Sequence, residues 1–188
     1  MVESTMNAAR ESILARVRTA LRTEAHRPQA PTDAPIFSPV TDLEGRFREE
    51  FIALKGEIIT DLPSFLAGFA KIASDVPEVA SNADVRQADL GVTGCDCLLA
   101  RTGSSAICTP SAGGRALSVL PPVHLVIARR DQLVPDLTAA LALWHQRYDQ
   151  HWPSNLCVIT GPSRTGDIEK ILVMGAHGPK RLAIYFAD

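Results

Sequence analysis

The chain has 188 residues, 46% of them apolar and 21% charged, with a formal charge of −2 and a pI of about 6.2. That length suits one sizeable α/β domain, whose folding should bury roughly 70% of the unfolded chain's surface. The near-neutral balance gives no electrostatic reason to expect binding to nucleic acid or to an acidic membrane.

No stretch approaches the run of about 20 apolar residues that spans a bilayer, so no membrane insertion is expected. The first residues, MVESTMNAARESILARVRT, lack the continuous apolar core of an export signal. Without export, the four cysteines (95, 97, 108 and 157) are not expected to form a disulfide framework. These features predict a cytoplasmic protein.

Residues 1–24 form an amphipathic helix, with Ile13, Leu14, Val17 and Leu21 on one face and Arg10, Arg16, Arg18 and Arg22 mostly elsewhere. It reads either as a partner-binding arm or as a helix docked on its own domain. Residues 25–40 carry prolines at 28, 31, 35 and 39 and predict an extended, irregular linker. From 41 to 188 the pattern predicts a single α/β domain. LEGRFREEFIALKG is helical, EIIT is a strand, and LPSFLAGFAKIA is again helical, with Pro63 in its first turn. Residues 87–92 predict a strand. Residues 97–100 and 105–108 predict a hairpin through Arg101, Thr102, Gly103 and Ser104. VHLVIA is a buried strand, residues 136–151 a helix, and LCVIT and LAIYF the closing strands. Strands alternating with helices predict a three-layer α/β fold, a mostly parallel sheet with helices on both faces and room for one antiparallel portion.

The chemistry concentrates in TGPSRTGDIEKILVMGAHGPKRLAIYF, residues 160–186. In open α/β sheets, ligands bind beyond the carboxyl ends of strands, where this stretch would follow LCVIT. Gly161 and Pro162 turn the chain, and Ser163, Arg164 and Thr165 then offer a hydroxyl, a guanidinium and a second hydroxyl. Successive backbone N–H groups in such a turn make an anion-binding concavity, and the arginine adds two-point recognition of a carboxylate or phosphate. Asp167 fits the N-cap of a short helix over IEKILVM that ends at Gly175, so a helix N-terminus would also face the anion. A plain turn before a capped helix explains the same residues, and GPSRTG lacks the Gly-Lys-Ser/Thr ending of a Walker loop. Asp167 and Glu169, two apart, would not face each other on a helix.

His177, in GAHGP, reads as a proton-transfer group beside a ligand or as a loop histidine bonded to nearby backbone. His124, in PPVHLVIA, alternates with apolar neighbours and reads as a satisfied wall histidine. Cys95 and Cys97 would share one face of a strand, as buried small side chains or as half of a ligand set whose second pair is missing. No metal site is expected. His145 and His151 are six apart, a poor spacing for sharing a metal, and there is no GxGxxG and no Ser-His-Asp elbow motif.

GVTGCDCLLARTGSSAI, the arginine of GGR, PPVHLVIA and ITGPSRTGDIEKILVMGAHGPKRLAIYF together resemble the signature of the LUD-domain family. The match is to its short form, the C-subunit type of bacterial lactate-utilisation systems, over roughly residues 85–188. The resemblance implies a NagB/RpiA/CoA-transferase-like fold and a part in oxidising L-lactate to pyruvate, alongside separate iron–sulfur partner subunits. It implies no iron–sulfur cluster in this chain, which fits the missing four-cysteine spacing, and it leaves the cofactor unknown. The matched positions are Thr102, Gly103, Arg115, Pro121, His124, Gly161, Ser163, Arg164, Thr165, Asp167, Glu169, His177, Gly178 and Pro179. Two departures stand out: Arg101 where relatives commonly carry an acid, and Ser104 in place of a commoner threonine.

The reading that results is a site with His177 and Asp167 as proton carriers. Thr102, Gly103, Ser104, Arg115, Gly161, Ser163, Arg164, Thr165 and Gly178 would surround a small carboxylate or a phosphate-bearing ligand. The alternative is a ligand-sensing or assembly module of the same kind of complex, without chemistry of its own; self-association stays open. Acyl or CoA transfer ranks last, since fold alone is weak evidence for it and no nucleophilic glutamate motif is present.

Overall fold

The computed structural model describes residues 2–22, 37–108, 115–149, 151–165, 173–174 and 177–187. The chain divides into two compact units, Met1–Ser38 and Pro39–Asp188. The first contains helix α1 (Val2–Leu21), on which Ile13, Val17 and Leu21, spaced by four, are exposed. Most of the expected linker lies outside the described residues, and residues 38–40 are irregular. No described helix is long and apolar enough to cross a membrane.

The elements of the second unit, in chain order, are α2 (Leu43–Ala53), β1 (Glu57–Ile59), α3 (Leu62–Leu66), β2 (Ile72–Ser74) and β3 (Leu90–Thr93). Next come β4 (Cys97–Leu99), β5 (Ser104–Cys108), β6 (Val123–Ala128), β7 (Leu133–Val134) and α4 (Leu137–Tyr148). The chain closes with β8 (Leu156–Ile159), β9 (Arg164–Thr165), β10 (Val173–Met174) and β11 (Arg181–Phe186). Helices α2, α3 and α4 start where the sequence provides a cap. Asp42, Asp61 and Asp136 each accept the backbone N–H three residues on, at 2.9, 3.2 and 3.1 Å.

Five strands form an all-parallel sheet in the order β1-β11-β6-β3-β2. Four more form a second sheet, β7-β4-β5-β8, in which β5 is antiparallel to both neighbours. One face of the parallel sheet packs against α3 through Leu90, Val92, Leu125 and Ile127. Its other face meets α2 and the second sheet, where Phe47, Phe51, Leu98, Ile107, Val126 and Ile184 share one core. On the far side of the second sheet, Ala140 and Trp144 of α4 cover Cys97, Leu99 and Ala106. The architecture is thus the mostly parallel α/β arrangement with helices on both faces that the pattern predicts, with the antiparallel portion forming a sheet of its own.

Three local expectations change. The helix predicted across 62–73 stops at Leu66, and Ile72–Ser74 pairs instead with Leu90–Val92 of β3. Pairing in the sheet overrides a spacing that fits a helix when Gly68 weakens its middle. The helix predicted over 168–174 does not reach its end: Val173 and Met174 pair antiparallel with Thr165 and Arg164. Cys95 and Cys97 do not share a face, since Cys95 packs beside Phe47 and Phe51 whereas Cys97 packs under α4. Burial pushes both thiols up, that of Cys97 to about 12.

Asp96 ties α4 to the second sheet. It is 2% exposed and accepts from Trp144 Nε1 at 2.9 Å, Arg147 at 3.0 Å and Tyr148 Oη at 2.8 Å. Removing the carboxylate strands the buried Trp144 N–H and takes a partner from Arg147 and Tyr148, so Asp96→Ala should cost on the order of 3 kcal/mol. A lowered urea midpoint at unchanged slope is the expected readout.

Asp75, at the carboxyl end of β2, is raised by burial from 3.8 to about 6, partly opposed by its own N–H and that of Gly94. The fold therefore holds this proton more tightly than the unfolded chain does. The stability this provides is complete below 3.8 and is lost as pH rises through about 6. Asp75→Asn should flatten that loss and be more stable than the native chain at neutral pH, as denaturant midpoints measured across the window will read.

Candidate functional site

The parallel sheet and the second sheet part where the carboxyl end of β8 meets the amino ends of β6 and β11. A recess of about 160 Å³ opens there. Its walls are Cys157 and Ile159 from β8, His124 from β6 and Leu182 from β11. Ser118 and Val119, in the loop before β6, close one side. The mouth is formed by two chain-distant loops, Gly161–Ser163 and His177–Pro179.

Those two loops are tied together. Ser163 N–H donates to the Pro179 carbonyl at 2.9 Å, and His177 N–H donates to Ser163 Oγ at 3.4 Å. Lys180 N–H then donates to the Pro122 carbonyl at 2.8 Å, which fixes the second loop to the segment entering β6. Of the expected site residues, Gly161, Ser163, His177 and Gly178 therefore line one cavity.

His124 forms part of the same wall and is fully buried. Its Nε2 lies 2.9 Å from Thr93 Oγ1, and Nδ1 has no hydrogen-bond partner among the described residues. Burial alone lowers its titration to about 4, so the ring is neutral near pH 7. The expectation of a wall histidine holds; that it is satisfied does not. Thr93 and Cys157 carry no local signal in the sequence that marks them as neighbours of this cavity. Cys157 is the exposed thiol of the four cysteines, and partial burial raises it.

The turn at Thr102 lies beside the recess without lining it. Ser104 Oγ bridges Thr102 Oγ1 at 2.8 Å and Thr160 Oγ1 at 2.9 Å, so the two bends adjoin through one buried hydroxyl, that of Ser104. Gly103 (φ 58°) and Gly161 (φ 83°) both lean on α2. A Cβ at Gly103 would run into the backbone of Glu50 and Phe51, and one at Gly161 would meet Leu54 Cβ at 3.1 Å. Arg115 donates to the Ser154 carbonyl at 3.0 Å. Arg164 is exposed on β9 and is not among the lining residues, while Thr165 pairs through its backbone with Val173. Arg101 lies 3.8 Å from Asp136, at the start of α4. Asp167 and Glu169 lie outside the described residues.

The recess lies beyond the carboxyl end of β8 but at the amino ends of β6 and β11. The carboxyl ends are filled: Arg48 and Arg130 lie over the Phe186 ring at 5.0 and 5.6 Å, and both pair with Glu44. Among the described residues, no cluster of three His, Cys, Asp or Glu could hold a metal ion.

A mostly parallel sheet with α3 on one face and α2 with a mixed second sheet on the other, and a small recess between the sheets, defines an α/β protein. A crystal structure of a DUF162 family protein from Deinococcus radiodurans superposes with a TM-score of 0.58, at 20% identity, over 78% of this chain and 96% of that one. Residues 41–187 match the LUD domain, and the chain belongs to the LUD-domain family. Lactate utilization protein C of Oceanobacillus iheyensis is 34% identical over 107 residues, 54% of this chain and 45% of that protein. The protein of the same name from Macrococcus caseolyticus is 30% identical over 142 residues, 74% of this chain and 62% of its own length. The chain thus spans about half to three-fifths of the curated relatives it matches.

Gly161 holds the recess's first loop against α2 at a positive φ. Gly161→Ala should cost about 1–2 kcal/mol, read by chemical denaturation.

Proposed function

We propose that the recess binds a small monocarboxylate of the 2-hydroxy or 2-oxo acid kind, and that this chain serves in lactate utilisation as a subunit without an iron–sulfur cluster. The observation that carries this is the cavity's size and make-up. At about 160 Å³ the recess has room for a small guest. That is well below the roughly 300–1,000 Å³ of pockets for larger ligands. The relatives named lactate utilization protein C support the same guest.

In this reading the Ser163 hydroxyl and the Gly161 and Gly178 N–H groups of the two mouth loops hold the carboxylate, and Arg164, one residue after Ser163, supplies positive charge at the rim. His177 receives a proton, with Asp167 as a second carrier. Oxidising a 2-hydroxy acid to a 2-oxo acid releases two protons and two electrons. The electrons pass to iron–sulfur partner proteins, since the four cysteines here lack the spacing of a cluster-ligand set.

Saturating L-lactate or pyruvate should slow alkylation of Cys157, which lines the recess. In a reconstituted system, lactate-dependent electron transfer should require the chain and fall about 100-fold or more with His177→Ala. Unprotected Cys157 together with equal rates with and without the chain would remove this reading. A second reading, an assembly module, is favoured by the exposed Ile13, Val17 and Leu21 of α1. Loss of complex formation on removing residues 1–24, with turnover indifferent to His177→Ala, would assign the chain to assembly instead.

A further inference from the structure

The lining of the recess changes character from the mouth inward. At the mouth stand the Ser163 hydroxyl, the exposed His177 and the backbone of the two loops. Inside stand Leu182, which is 1% exposed, the partly buried Ile159 and the fully buried His124. Leu182 and His124 are register partners on β11 and β6. Leu182 belongs to the core around Phe47 and Phe51, and Ile159 packs against that core. The inner end of the recess is therefore a surface of the main core, and Val119 adds an apolar side wall.

Charge is missing from the same wall. Among the described lining residues there is no lysine, arginine, aspartate or glutamate. Burial lowers the titration of His124 to about 4, so this ring brings no charge near pH 7. A carboxylate moved to the inner end would lose its hydration and meet no cation. An alkyl group moved there leaves water and finds Leu182, Ile159 and Val119 to touch. Desolvation thus sorts the two ends of a small acid. The carboxylate stays with the mouth loops, and the tail goes in.

Resting on the small-acid reading of the recess, we propose that it selects its acid by the tail. Its guests are 2-hydroxy and 2-oxo monocarboxylates whose carbons beyond the second form an uncharged alkyl chain. In this orientation carbon 2 stays at the mouth, on the side of His177, whichever tail follows it. Lengthening the tail adds buried surface without moving the reacting carbon, so lactate is one member of a series. Glycolate has no tail to bury. Malate carries a second carboxylate at the end of its tail, and entry would set that charge against Leu182.

Cys157 lines the recess and is the exposed one of the four cysteines, so its alkylation by iodoacetamide reports occupancy. The full chain is titrated with glycolate, L-lactate, 2-hydroxybutyrate and L-malate. Protection should strengthen about fourfold with each carbon added from glycolate to 2-hydroxybutyrate. Malate should protect about tenfold more weakly than lactate, or not at all. A flat series, or malate protecting as well as 2-hydroxybutyrate, overturns selection by the tail and leaves the recess a carboxylate site. If none of the four acids protects Cys157, the small-acid reading itself falls and takes this one with it. A gain of binding tests the cause. Val119 is 48% exposed in the loop before β6, so a lysine there can lean over the inner wall without disturbing the core. Val119→Lys should let malate protect while lactate still binds. A Val119→Lys chain that binds lactate and still rejects malate overturns the argument from missing charge.

Discussion

The aromatic end of α2 is the wedge on which the rest of the second unit depends. Phe47 and Phe51 are fully buried and stack at 5.4 Å, and Phe47 meets Phe186 of the parallel sheet edge-on at 6.1 Å. The same helix presents its last turn to the second sheet, where Gly103 and Gly161 come against Glu50, Phe51 and Leu54. Two bends some sixty residues apart are thus held by one turn of helix. Filling the space with rings sets how far apart the sheets stand on that side, and the hydroxyl bridge from Ser104 to Thr160 fixes the bends to each other. The recess lies beyond this wedge, where β8 and β6 are no longer separated by aromatic side chains.

Periodicity carried much of the fold. VHLVIA, LAIYF and the capped helices at Asp42 and Asp136 could be read because each is decided by local pattern: continuous apolar runs for doubly covered strands, and a side-chain acceptor three residues before a free N–H. The failures share a cause. Ile72–Ser74 and Val173–Met174 are two- and three-residue strands whose conformation is set by partners outside the segment, β3 in one case and β9 in the other. Such short pieces contain at most one and a half periods of the strand alternation, too few to distinguish it from helical spacing. The second sheet was harder still, because β7 and β8 join it through pairings made across the hairpin rather than along the chain.

The candidate site was half visible for a related reason. Gly161, Ser163, His177 and Gly178 stand in loops where small and polar residues interrupt apolar runs, a contrast that marks a site in a single sequence. Cys157, Leu182 and Ser118 carry no such contrast, and they enter the cavity only because β8 and the parallel sheet face each other. Thr93 is one alternating residue in a strand, yet it decides the hydrogen bonding of a histidine thirty-one residues later. Ser104 and Gly103 stand in a polar, glycine-bearing turn whose hydroxyl ties one bend to another and whose glycine packs against α2, contacts that no local pattern announces.

The placement of charge separates this recess from an ordinary anion site. Arg115 is turned to the Ser154 carbonyl, Arg181 is paired with Glu57 at 2.8 Å, and neither is among the lining residues. Arg48, Arg129 and Arg130 gather at the carboxyl ends of β6 and β11, already paired with Glu44 and Asp131. The residues that line the recess include no arginine or lysine, so on the proposed reading an anion there draws on loop N–H groups and on residues at the rim. Loop amides hold a carboxylate by direction rather than by net charge, so their grip depends on the loop's shape. That shape is set by the bond from Ser163 to Pro179 and by the α2 wedge behind Gly161.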